Sequence, residues 1–223
     1  MSAIIAQLTR RQLLWHGNNQ QAAYQALSSG FAELDARLGG GFPASGLIEL
    51  QTAAGIGELR LVLPYLKQQQ ASGRLLVLIA PPAEPCADMF AAAGIDLSAL
   101  LIITPASNKD MLWAAEQCLH SGCCASVLLW QPQLSLAQAR RLQLAAEQGA
   151  ASLIVLRKPA QYLSLPVNLS LALTAKAQGL GAKVLKRKGG WAGEVVDISM
   201  QPHWPALCLA DSSEAHAFTA VAG

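Results

Sequence analysis

An α/β fold, with a mostly parallel sheet flanked by helices, is predicted by three features of this chain. Apolar runs alternate with helical stretches from residue 47 to residue 156. One of those runs, 75–80, is apolar without a break, which fits a strand buried on both faces. After Pro166 the helical stretches stop and three more strand-like runs follow, read as antiparallel strands at one edge of the same sheet.

Residues 3–15 carry apolar side chains at helical spacing and predict an amphipathic helix, followed by a polar linker at 18–21. A short helix is expected over 30–38, stopped by Gly39, Gly40 and Gly41. Pro43 and Gly46 punctuate the approach to a strand at 47–50. Residues 60–70 follow as a helix that Pro64 kinks or starts.

Beyond that point, strands at 75–80, 100–104, 127–130 and 153–156 alternate with helices at 86–93, 110–120 and 135–147. Ser107 or Asn108 caps the second of these helices. The late strands are placed at 167–174, 183–188 and 194–199. The domain division is therefore 1–26 for the N-terminal helix and linker, 27–200 for the α/β domain, and 201–223 for a weakly periodic tail.

Of 223 residues, 52% are hydrophobic and 13% charged, which excludes a disordered chain and indicates a large core or surface kept for partners. No apolar run reaches the ~18 residues that span a bilayer. Arg10 and Arg11 follow the apolar stretch at 3–8 instead of preceding it, against the order of a signal peptide. A cytoplasmic location is expected. Five cysteines (86, 118, 123, 124 and 208) form no C-x-x-C pair, so buried thiols are expected and no metal site.

The loop after the 47–50 strand is the most informative segment. A phosphate-gripping loop reads G-x-x-x-x-G-K-[ST], with Lys on phosphate and Ser/Thr on Mg²⁺. Here Gln51 replaces the first Gly, Gly57 keeps the second, Glu58 replaces Lys and Leu59 replaces the hydroxyl residue, with Gly55 as an additional glycine between them. A carboxylate beside phosphate costs about 1 kcal/mol even in water and more in a groove.

Several segments in order resemble the RecA-fold family. These are the lead-in SSGFAELDARLGGGFPASGLIEL, the stretch LLVLIAPPAEPCADMFAAAGIDLSALLIITP, the run HSGCCASVLLW, and VNLSLALTAKAQGLGAKVLKRKGGWAGE, covering about residues 27–200. The resemblance implies a RecA-like P-loop NTPase fold in degenerate form. It places Trp130 where that family ends a strand on its metal-binding Asp, and Pro82 where its water-activating Glu sits. With Glu58 and Leu59 also altered, no ATP hydrolysis and no bound cofactor are expected. The short turn at 131–134 argues against the long DNA-binding loops of recombinases.

Two groups within that family lack the catalytic residues, and the chain most resembles the ImuA group of translesion-synthesis proteins. The segments LDARLGGGFPASGLIEL, AAGIGELRLVLP with Pro64, and LKRKGGWAGE carry that likeness. It implies an accessory protein of the SOS response, working with an ImuB-like protein, an error-prone DnaE-type polymerase and RecA. The alternative is a SulA-like inhibitor of cell division that binds FtsZ. Direct DNA contact stays open.

No acidic residue lies between Glu147 and Glu194, while seven Lys or Arg do. Such a stretch makes a positive local field or a Lys-guarded strand edge. Arg157, Lys158, Lys186, Arg187 and Lys188 are candidate partner contacts, with Trp191 as an exposed anchor after Gly189 and Gly190. The four His are scattered and lack ligand spacing.

Overall fold

The computed structural model describes residues 24–131, 133–159 and 165–205. The helix expected at 3–15, and the tail from 206 on, lie outside the described residues. The sheet has eight strands in the order β10-β9-β8-β3-β7-β6-β4-β5. In chain order these are β3 (Gly46–Gln51), β4 (Leu75–Ile79), β5 (Leu100–Ile103), β6 (Cys124–Trp130), β7 (Ser152–Arg157), β8 (Leu169–Lys176), β9 (Gly179–Arg187) and β10 (Val195–Ser199). A separate small pair, β1 (Ala26–Leu27) and β2 (Phe42–Pro43), precedes them.

Among the described residues five α-helices cover the sheet: α1 (Ala32–Leu38), α2 (Glu58–Gln70), α3 (Ala87–Ala92), α4 (Asn108–His120) and α5 (Leu136–Gln148). Strand side chains alternate between two cores, as the period of two requires. Ile48, Leu50, Leu76, Leu78, Leu128 and Ile154 face one core with residues of α1, α2 and α3. Leu47, Val77, Ile79, Val127, Leu129 and Leu153 face the other, with Ala115, Leu119, Leu142 and Ala146 of α4 and α5.

Local chemistry fixes the helix starts. Ser107 caps α4 by accepting the Asp110 N–H, and Ser135 forms a reciprocal capping box with Gln138 at α5. Pro64 sits inside α2, not at its start, and packs against the Gly30 turn. The Gln68 side chain donates to Ser28 O at 3.0 Å, so the lead-in is tied to the same helix.

The late strands pair antiparallel with one another, β8 with β9 and β9 with β10, as expected, but β8 joins the sheet parallel to β3. Asn168 lies at the starting end of β3, where it exchanges hydrogen bonds with Leu47 through N–H to O at 2.9 Å and Leu47 N–H to Oδ1 at 3.0 Å. Residues 201–205 form turns that lie against the domain. Trp204 packs on the first core, and the His203 ring meets Phe31 edge-on at 5.1 Å.

Candidate functional site

The parallel strands β3, β4, β6 and β7 deliver their C-terminal ends to one side of the sheet. In open α/β sheets that side is where ligands bind. It carries the loop 52–57, the turn after β4 with Pro82, Trp130 with Gln131, and Arg157 with Lys158.

Gly55 (φ 82°) and Gly57 (φ 108°) take left-handed backbone conformations, which suit glycine. A Cβ at either would meet nothing within 4 Å, so conformation and not space selects glycine there. Gly57 is the residue before α2, and Glu58 opens the helix. The Glu58 side chain turns back over the loop. Its Oε1 accepts the Gly55 N–H at 3.0 Å, and its Oε2 accepts the Gly57 N–H at 3.1 Å. The residue is only 6% exposed, while Ala53, Ala54 and Gly55 face solvent.

Leu59 packs against the first core, as does Trp130 at the end of β6. Pro82 is exposed just beyond β4. Leu59 in the first turn of α2, Trp130 at the end of β6 and Pro82 beyond β4 thus bring no charged or hydroxyl side chain to these positions. Among the described residues no group of three or more His, Cys, Asp or Glu is arranged to hold a metal ion.

Arg157 needs a correction, since it is not a surface contact. It is 6% exposed, and its Nε donates to Glu49 Oε1 at 2.5 Å, while Ser170 Oγ donates to Glu49 Oε2 at 2.5 Å. The arrangement joins β7, β3 and β8 on the α4–α5 side of the sheet, because Glu49 alternates with Ile48 and Leu50. Glu49 and Ser170 were not singled out by sequence reading. An acidic residue within an apolar strand (Leu47, Ile48, Glu49, Leu50) is a signal for a buried pair, but its partner lies 108 residues away.

The other basic candidates are split between two sides. Lys158 is exposed at the C-terminal end of β7. β9 runs the opposite way, so Lys186, Arg187 and Lys188 lie near the start of β8. Along the strand direction that is about five residues, or ~16 Å, from Lys158. Lys186 is half-buried and donates to Leu165 O at 2.8 Å, and Arg187 Nη1 donates to Arg37 O at 3.2 Å. Lys188 is exposed, and Trp191 is 70% exposed. All four lie at the end of β9 or in the β9–β10 connection, away from Lys158.

A second exposed aromatic was missed. Trp113 on α4 is 64% exposed, off the stripe of Met111, Ala115, Cys118 and Leu119 that faces the sheet. Helical spacing within 110–120 carries that signal.

Residues 48–152 match the family described as "Cell division inhibitor SulA", a span from β3 into the start of β7 that includes the loop. The protein is thus a mixed α/β protein with a mostly parallel sheet and a SulA-like segment. It is also similar to RecA proteins. That of Corynebacterium efficiens is 29% identical over 107 residues, covering 48% of this chain and 28% of that protein. That of Acinetobacter baumannii is 30% identical over 125 residues, covering 55% and 35%. The chain therefore spans about a third of the length of these relatives. Among solved structures, SulA from Pseudomonas aeruginosa aligns with a TM-score of 0.44 and 28% identity, over 51% of this chain and 98% of that one. Among the described residues no helix is long and apolar enough to cross a membrane.

Proposed function

We propose that this chain is an SOS-response protein that acts by binding other proteins, without turnover of nucleotide. The observation that carries this reading is the loop after β3, where the Glu58 carboxylate lies on the Gly55 and Gly57 amides in place of a phosphate-binding Lys. Leu59, Trp130 and Pro82 supply no ligand for Mg²⁺ and no base for water. Phosphoryl transfer depends on positioning and charge stabilisation, so a RecA-like frame with these replacements retains surfaces and loses chemistry.

The SulA-like segment at 48–152 supports a division inhibitor whose partner is FtsZ. A second reading, an ImuA-type accessory of error-prone translesion synthesis, is favoured by a separate observation. The lead-in at 26–43 and the strands β8–β10 lie outside the SulA-like segment, and so does the β9–β10 connection with Lys188 and Trp191. On that reading the partners are an ImuB-like protein, a DnaE-type polymerase and RecA.

One experiment separates the readings. Purified chain is offered to FtsZ, and FtsZ polymerisation is followed by light scattering. In parallel it is used as bait for the ImuB-like protein, the DnaE-type polymerase and RecA. Arrest of FtsZ assembly establishes the inhibitor, and co-purification with the polymerase partners establishes the accessory. Saturable Mg-ATP hydrolysis by the pure chain refutes both.

A further inference from the structure

We propose that Glu58 is a tethered ligand of its own loop, a carboxylate that fills an anion-binding nest and closes it to free phosphate. The inference concerns the loop alone and holds whichever partner the protein binds.

Four observations meet at this residue. Each carboxylate oxygen takes a different backbone N–H, Gly55 on Oε1 and Gly57 on Oε2, so the grip is two-pronged. Successive amides in left-handed and turn conformations form concavities that hold anions, and both glycines have positive φ. The nest lies at the N-terminus of a 13-residue helix, whose dipole adds to the attraction for negative charge. Finally, Glu58 is buried although the loop around it is open to solvent. Among the described residues it forms no ion pair, so backbone amides are what answer its charge.

The tether decides the competition. A ligand carried on the same chain acts at an effective concentration of roughly millimolar or more. Free phosphate would have to displace it without the Lys that strengthens a working loop. The substitution at this position therefore does more than repel phosphate, because it occupies the phosphate's place.

The test uses the full chain with 15N-glycine labelling, and inorganic phosphate as probe at constant ionic strength. Glu58→Ala and the isosteric Glu58→Gln empty or weaken the nest. The expected result is a lower Tm, by roughly 2–8 °C, with movement of the Gly55 and Gly57 amide signals. Phosphate should restore both in the variants and leave the wild type unmoved, while the signals of Gly73 and Gly122 stay put throughout. Wild-type amides that titrate with phosphate as the variants do would overturn the proposal. So would amides indifferent to loss of the carboxylate, or a shift that phosphate fails to reverse. If Glu58→Ala does not fold in plain buffer, recovery of its dispersed spectrum with phosphate supports the proposal, and no recovery overturns it.

Discussion

Glu49 and Arg157 face each other inside the sheet, Oε1 to Nε at 2.5 Å, with 2% and 6% of their surfaces exposed. The pair bridges the adjacent parallel strands β3 and β7, and Ser170 on β8 satisfies the second carboxylate oxygen. Breaking such a pair costs more than the pair contributes, because it strands a buried charge. Arg157→Ala should lower stability by about 3–5 kcal/mol. Replacing both residues, as Glu49→Leu with Arg157→Met, should recover most of that loss. Urea midpoints of the two single variants and the double variant check this, and a double variant as unstable as Arg157→Ala would sink it.

Tyr65 makes the protein sensitive to alkali. Its hydroxyl donates to Pro43 O and accepts from Gln69 Nε2, both at 2.6 Å. Burial holds its pKa up, at about 12 against an ordinary 10.0. The unfolded chain then gives up this proton first, so the native state binds more protons in that window. Stability from this group is intact below pH 10 and declines as pH rises through about 12. Burial raises Tyr24 in the same direction. Tyr65→Phe should lose about 1–2 kcal/mol at neutral pH and show a shallower alkaline fall, as measured by thermal melts from pH 8 to 12.

Gly30 and Gly55 both have positive φ, yet their substitutions should differ. A Cβ on Gly30 would lie 2.4 Å from Pro64 Cβ, whereas one on Gly55 meets nothing within 4 Å. Gly30→Ala therefore adds a clash to the backbone strain, for about 2–4 kcal/mol together. Gly55→Ala bears the strain alone, about 1–2 kcal/mol. Equal losses in chemical denaturation would contradict this account of the lead-in's docking on α2.

Ser135→Ala removes one half of the α5 capping box and frees the Gln138 N–H. A loss of about 1 kcal/mol is expected, seen as a Tm lower by roughly 2–4 °C.

Lys188 and Trp191 belong to the β9–β10 connection, and Lys158 follows the far end of β7. A partner that uses that connection should bind more weakly to Lys188→Glu and to Trp191→Ala, and equally well to Lys158→Glu. Binding measured by interferometry at two salt concentrations tests the assignment. Equal effects of all three variants would show that the partner spans both sides.

Much of the fold was legible because its signals are local. Each strand of the alternating region was found to within a few residues, since β4 and β7 are apolar enough to be buried on both faces. Ser107 announced its helix through capping chemistry, whereas Ser135, expected as the first residue of its helix, is that helix's cap. The loop was legible in identity, through the placement of Gly57, Glu58 and Leu59. Its geometry was not. That the Glu58 carboxylate curls back onto Gly55 and Gly57 depends on side-chain torsions and on two glycines with positive φ, which residue names leave open.

The parallel joining of β8 to β3 was missed for a similar reason. Its sequence would suit either orientation, and the pairing of Asn168 with Leu47 fixes it as parallel to β3. Arg157 was read as surface because basic residues usually are. Its counter-charge on Glu49 is remote in sequence and adjacent only once β3 and β7 pair.

By itself the amino-acid order determined the class of fold, the place of the loop and the presence of Glu58 in it, since periodicity, caps and residue chemistry act over a few neighbours. Tertiary structure alone decided which charges were buried and which side of the sheet each Lys occupies. Those outcomes depend on strands and side chains far apart in the chain meeting at hydrogen-bond distance, and interaction energies at that range are set by geometry that composition does not specify.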